Sequence, residues 1–143
     1  MHIVIINGPN LNLLGIREPE LYGVQTMEEY MEQLSAEFPD IDFDYCQSNH
    51  EGDLIDWLQQ SGFSADGIIL NAGGYSHTSV AIRDTIAAIT APVVEVHITD
   101  IYSRESFRHV SLLTDVCSCS IVGKGMEGYK EAVEYICENY VKM

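Results

Sequence analysis

The chain has 143 residues, 46% of them hydrophobic, which is enough for one sizeable core and too apolar for a disordered segment. Twenty-two acidic residues face only seven Lys and Arg, for a formal net charge of −15. Such a field repels nucleic acid and anionic membrane surfaces, so neither is an expected partner, and it makes every cation informative.

The N-terminal run Met1-His2-Ile3-Val4-Ile5-Ile6 turns polar at Asn7. It lacks the basic flank and the length of a secretory signal, and no later stretch is long enough to span a bilayer. Residues 2–6 instead read as a strand, rich in Ile and Val as a strand buried on both faces should be. Thr26 with Glu29 three residues on predicts a capping box, followed by Met27, Tyr30, Leu34 and Phe38 at helical spacing. Residues 42–47 are the second strand. Leu54, Ile55, Trp57 and Leu58 mark a second helix that Gly62 can close. A third strand at 67–70 leads to a helix from about Ser79, which must stop before Pro92. A fourth strand at 93–97 and a fifth at 118–122 precede a last helix carrying Tyr129, Val133, Ile136 and Tyr140 on one stripe.

Repeated strand–helix units around one core predict an α/β fold, a parallel sheet with helices on both faces. Five strands in so short a chain favour a flavodoxin-like five-stranded order over a barrel or a full dinucleotide-binding fold. With no repeat or linker, residues 1–143 are expected to be a single catalytic domain. Cys46, Cys117, Cys119 and Cys137 form no CxxC pair, and with no export signal a reduced, cytoplasmic setting is expected. Cys117 and Cys119 lie on one side of the predicted fifth strand, where small core residues are a better reading than a metal pair.

Ligands of open α/β sheets bind beyond the carboxyl ends of the strands. The segments there (7–23, 47–50, 71–79, 97–108 and 123–125) hold His50, His77 and His97, with His109 just beyond, and every arginine except Arg83. Concentrating scarce cations at one end of an acidic protein suits an anionic ligand; offsetting acidic neighbours is the blander reading. The first loop has neither GxGxxG nor GxxxxGK[ST] spacing, and it lacks the hydroxyl-rich character expected around a flavin phosphate. It is long for a strand–helix connection, a mark of functional loops. In it, Arg17 and Tyr22 make either a surface cation–π pair or a tyrosine whose phenolate is favoured by a guanidinium. A phenol ordinarily ionises near ~10, about 3 units above neutrality, and one close guanidinium supplies roughly 1–3 of those. A second positive group, or partial ionisation, must supply the rest.

In the fourth strand, Glu95 and His97 share a face because strand side chains alternate. A carboxylate in an apolar central strand is costly unless paired; bonding to His97 would solve this and would orient a histidine suited to general acid work. A structural ion pair is the plainer alternative. In Asn71-Ala72-Gly73-Gly74-Tyr75-Ser76-His77-Thr78-Ser79, a helix cap is the better role for Ser79 or Thr78, and ligand contact for Asn71 and His77.

Five motifs in order then carry a resemblance to the type II dehydroquinases. They are Gly8–Gly15 (GPNLNLLG) with Arg17-Glu18 and Tyr22-Gly23; Gln47-Ser48-Asn49-His50-Glu51-Gly52; Tyr75-Ser76-His77-Thr78-Ser79; Glu95-Val96-His97-Ile98-Thr99; and Arg104-Glu105 with Phe107-Arg108. The resemblance implies a 3-dehydroquinate dehydratase with no metal or organic cofactor, built as a homododecamer of trimers. It implies anti elimination of water from 3-dehydroquinate to 3-dehydroshikimate through an enolate, in aromatic biosynthesis or quinate breakdown. By position, Tyr22 corresponds to the base, Arg17 to the residue stabilising its anion, and His97, paired with Glu95, to the acid. Asn10 resembles the residue that helps hold the enolate through a water. Asn71, His77 and Arg108 match substrate hydroxyl contacts, Ile98 and Thr99 the backbone site for a carboxylate, and Asp84 an aspartate reaching a neighbour's site. From the residues alone, Asp84 could equally approach its own site or pair with a cation. The chain departs from the common pattern at Ala72-Gly73-Gly74, Ser76, Thr99, Asp100 and Tyr102; of these, Asp100 adds negative charge near the expected carboxylate. Rival readings are a flavin-binding electron carrier, a phosphoacceptor domain, which would need an aspartate where Asn71 stands, and a non-catalytic relative.

Overall fold

The computed structural model of the protein describes residues 1–140; the last three residues of the expected 1–143 domain lie outside the described residues. Five strands, β1 (His2–Asn7), β2 (Asp42–Gln47), β3 (Gly67–Asn71), β4 (Val93–His97) and β5 (Cys119–Val122), form one sheet in the order β2-β1-β3-β4-β5. Every neighbouring pair is parallel. The helices are a single turn α1 (Pro19–Tyr22), then α2 (Met27–Glu37), α3 (Glu51–Ser61), α4 (Val80–Ala88) and α5 (Glu127–Tyr140). This is the α/β, flavodoxin-like architecture expected from the sequence. No helix among the described residues is long and apolar enough to cross a membrane.

Strand alternation divides the core in two. Ile3 and Ile5 of β1 join Ile69, Val94 and Val96 against Tyr30 and Leu34 of α2 and Tyr129, Val133 and Ile136 of α5. Val4 and Ile6 join Ile68 and Leu70 against Leu54 and Leu58 of α3 and Ile82 and Ile86 of α4. Because both faces are covered, β3 and β4 are buried along their whole length, whereas β2 at the edge has no fully buried residue.

The expected caps are present. Thr26 Oγ1 accepts from the Glu29 N–H, and Glu29 Oε1 accepts from the Thr26 N–H, both at 3.2 Å. Ser79 Oγ accepts from the Ile82 N–H at 2.9 Å and starts α4, so Ser79 rather than Thr78 is the cap. Gly62 does end α3, but in right-handed conformation (φ −66°), not as a left-handed terminator. It is glycine for space: a Cβ there would lie 2.4 Å from Ile89 Cγ2 and 2.5 Å from the Leu58 carbonyl oxygen.

β1 and β3 each run one residue further than expected, because Asn7 and Asn71, polar but buried, still pair in register. β5 starts one residue later, at Cys119. The order reverses between β1 and β3, and beyond their carboxyl ends the chain can open a crevice. Gly8 makes the two loops meet there: its N–H donates to the Asn71 carbonyl at 2.7 Å, and any Cβ would lie 2.5 Å from the Ala72 oxygen.

Candidate active site

The crevice is a cleft of ≈ 160 Å³ walled by the loops after β1, β3 and β4. Its lining includes Arg17, Arg104 and Arg108 and no Asp or Glu, although the chain has 22 acidic residues. Surface partners exist too, Glu18 at 3.6 Å from Arg17 and Glu105 at 2.7 Å from Arg108. Both carboxylates are about half exposed, so solvent screens them and the cleft keeps its positive field.

Tyr22 closes α1, whose first residue is Pro19, a residue pre-set for the start of a helix. The turn carries the phenol back over the cleft. Arg17 Nη2 donates to its oxygen at 3.1 Å, and Arg104 Nη1 donates at 2.8 Å. Arg17 also lies 4.1 Å from the ring centroid, so the cation–π contact and the hydrogen bond coexist. Two guanidiniums on one phenol oxygen stabilise the anion left when the proton departs. Arg104 is the second positive group that Tyr22 called for; the sequence places it in a motif but gives it no role. It is tied in place by Thr99 Oγ1 at 3.3 Å and by His109, whose Nε2 donates to the Arg104 carbonyl at 2.9 Å.

Across the cleft, β4 delivers the Glu95–His97 pair. His97 Nε2 lies 2.6 Å from Glu95 Oε2, with both side chains almost wholly buried. The carboxylate accepts the Nε2 proton, which leaves Nδ1 as the ring atom for the cleft. Glu95 Oε2 also accepts from the Ser111 hydroxyl, and Oε1 from Thr114 Oγ1 at 2.7 Å and Ser120 Oγ at 3.0 Å. Burial pushes the Glu95 carboxyl up, but the hydrogen bond and charge of His97, with the Ser111 and Thr114 hydroxyls, outweigh it and bring it down to about 2. Glu95 is therefore a firm anion that can hold an imidazolium. Its three hydroxyl partners went unnoticed in the sequence because they lie 16, 19 and 25 residues away.

The β3 loop adds Asn71 and His77. The Asn71 side chain is fixed at both ends, with Nδ2 donating to the Tyr129 hydroxyl at 3.1 Å and Oδ1 accepting from the Gly73 N–H at 3.2 Å. His77 Nδ1 donates to the Val110 carbonyl at 2.8 Å, leaving Nε2 as an acceptor, and its ring stacks on that of His97 with centroids 6.2 Å apart. Asn10, in left-handed conformation (φ 69°), lines the cleft, as do Ile98 and Thr99 where the chain leaves β4. The segment at 47–50 props the first loop: Gln47 Nε2 donates to the Gly8 carbonyl at 3.1 Å, and the Asn10 N–H donates to Asn49 Oδ1 at 3.0 Å.

Other expected residues stand apart. His50 precedes α3 and His109 braces Arg104; neither lines the cleft. Asp84 is exposed on α4 and does not line its own chain's cleft. His77 precedes α4, so the two do not share a helical face. Asp100 turns its carboxylate to the Tyr102 N–H at 3.0 Å and Ser103 Oγ at 2.8 Å. Its charge is thereby spent on capping a short turn rather than facing the cleft.

The profile of the family described as Dehydroquinase class II matches residues 1–137. A protein named 3-dehydroquinate dehydratase from an Exiguobacterium species is 50% identical over 141 residues, 98% of this chain and 97% of that one. One of the same name from Campylobacter jejuni is 51% identical over 143 residues, covering 96% and 90%. Among solved structures, the type II dehydroquinase from Butyrivibrio crossotus superposes with a TM-score of 0.91 at 43% identity, covering 95% of this chain and 97% of that one.

Proposed function

The chain belongs to the class II dehydroquinase family, hydro-lyases that act on 3-dehydroquinate, and on that premise we propose how its own residues divide the reaction. Tyr22, as phenolate, removes the proton from the carbon between the ketone and the carbon bearing the departing hydroxyl. The ketone acidifies that position, so a weak base suffices if it is held in place. Arg17 and Arg104 hold the phenolate oxygen. Asn10 helps stabilise the enolate through a bound water. His97, as imidazolium braced by Glu95, protonates the hydroxyl as it leaves on the opposite face, giving anti elimination to 3-dehydroshikimate. Asn71, His77 and Arg108 bind substrate hydroxyls, and the backbone at Ile98 and Thr99 receives the carboxylate in the positive field of the cleft.

The observation that carries this reading is the convergence of two guanidiniums on the Tyr22 oxygen, in one cleft with a histidine held by a buried carboxylate. A flavin-binding carrier of the same fold has no use for that arrangement. Purified protein mixed with 3-dehydroquinate should generate the absorbance of a conjugated enone; no enone formation by folded protein would overturn the assignment.

We extend the proposal to assembly. Asp84, exposed and outside the lining of its own cleft, completes a neighbour's site in a trimer, four of which make a dodecamer. The exposed Val80, Phe107 and Val110 supply apolar surface for such contacts. Four free thiols suit a reducing cytoplasm, where a single catalytic domain of this kind would work on a small-molecule substrate with its own side chains.

A further inference from the structure

Behind the cleft runs a buried polar line of which the reaction uses only Asn71 directly. Tyr129, on α5 and wholly buried, places its hydroxyl between the last residues of β1 and β3. It donates to Asn7 Oδ1 at 2.8 Å and accepts from Asn71 Nδ2 at 3.1 Å. Asn7 and Asn71 are register partners at the strand-order reversal, so the three side chains meet directly beneath the cleft floor. Each is buried, and a buried polar group needs a reason to be present.

The direction of this line is set at one end by the backbone. The Gly73 N–H can only donate, and it points at Asn71 Oδ1 at 3.2 Å. Asn71 must therefore turn its NH₂ group toward Tyr129. The phenol can accept that N–H only if its own proton goes elsewhere, and Asn7 Oδ1 takes it. A flipped Asn71 would set its oxygen against a phenol oxygen whose proton is committed, and its NH₂ against the Gly73 N–H. Both contacts are repulsive. With Oδ1 and one Nδ2 proton engaged, what Asn71 can offer the cleft is its second N–H, a donor. Burial also pushes the Tyr129 phenol upward, so it keeps the proton that the line requires.

We propose that Tyr129, with Asn7, is a positioning residue: it locks the Asn71 amide in the one orientation that presents a donor N–H to a substrate hydroxyl oxygen. The inference rests on the reading of Asn71 as a substrate contact. It assigns a role in orientation to an α5 residue that otherwise passes for ordinary core.

The test is a double-mutant cycle on kcat/KM for 3-dehydroquinate. Tyr129→Phe removes one oxygen and keeps the ring that packs on Tyr30. In the native background it should lower kcat/KM about tenfold, whereas in an Asn71→Ala background it should change it less than about twofold, because the side chain it positions is gone. The same fold-loss in both backgrounds, or none in either, would overturn the proposal and leave Tyr129 a packing residue. A different outcome speaks to the premise: if Asn71→Ala alone keeps native kcat/KM, Asn71 is not a substrate contact, and both readings fall. Should Tyr129→Phe not fold, Asn7→Leu serves instead. It takes away the acceptor and lets the Tyr129 proton turn onto Asn71, so it must show the same background-dependent loss; an equal loss in both backgrounds refutes the idea.

Discussion

Arg104 offers the sharpest test of how Tyr22 is armed. Arg104→Met keeps most of the aliphatic stem and deletes the guanidinium, which donates to the Tyr22 oxygen at 2.8 Å, closer than Arg17 at 3.1 Å. A hydrogen bond to a charged group is worth about 1.5–3 kcal/mol, and the phenolate loses one of two. If that stabilisation is felt mainly in the transition state for proton removal, kcat/KM should drop roughly 10–150-fold. Arg104→Lys should fall between, since a lysine keeps the positive charge but its compact, strongly hydrated ammonium sits on a different stem from the planar guanidinium whose Nη1 reaches Tyr22 and Thr99. Initial rates of enone formation across a substrate series give the numbers, and thermal unfolding shows that the variants fold. A folded Arg104→Met enzyme within about twofold of the native rate would refute the assignment of a second guanidinium to the base.

Two further outcomes follow from the same geometry. Four donors converge on Glu95, and an amide has a single oxygen to offer them, so Glu95→Gln should destabilise by about 3 kcal/mol or more. The native carboxyl is brought from 4.5 down to about 2, so its contribution, on the order of 3 kcal/mol, is complete above pH of about 4.5 and fades as pH falls toward 2. Urea unfolding should show the native advantage over Glu95→Gln shrinking between pH 6 and pH 3; a gap that does not change with pH would count against the ionised, hydroxyl-held carboxylate. For assembly, Tyr22→Phe and Asp84→Ala should each be nearly inactive alone and regain activity when their subunits are exchanged. Absence of rescue, with exchange verified by tagged subunits, would reject the shared site.

Much of the fold was legible because burial on both faces forces strands to be written in Ile and Val, as at Ile3–Ile6, and because capping chemistry is local, as at Thr26 and Ser79. The chain hides what depends on distant partners. Asn7 and Asn71 read as loop since they are polar, yet the parallel ladder carries through them and Tyr129 bonds to both side chains. Glu95 and His97 could be paired on sight from strand alternation, but the three hydroxyls around the carboxylate come from the irregular segment before β5 and from β5 itself. The role of Arg104 was missed for a similar reason. The segment after β4 folds back through short 3-10 turns at Ile101–Ser103 and Ser106–Arg108, and no periodicity says which of its arginines will reach Tyr22. A signal did exist, in that one guanidinium was too little for the phenolate. Gly62 shows the converse, a residue whose position was anticipated for one cause and is required for another, the close packing of α3 on Ile89.

The division of labour between Tyr22 and His97 can be read in one measurement, the exchange of the substrate's α-proton with deuterated solvent beside the rate of dehydration. If Tyr22 removes the proton and His97 only assists the leaving hydroxyl, Tyr22→Phe should lose exchange and dehydration together. His97→Ala should retain exchange while dehydration falls by about 10²-fold or more. Exchange at the native rate in Tyr22→Phe, or equal loss of both processes in His97→Ala, would contradict separate base and acid.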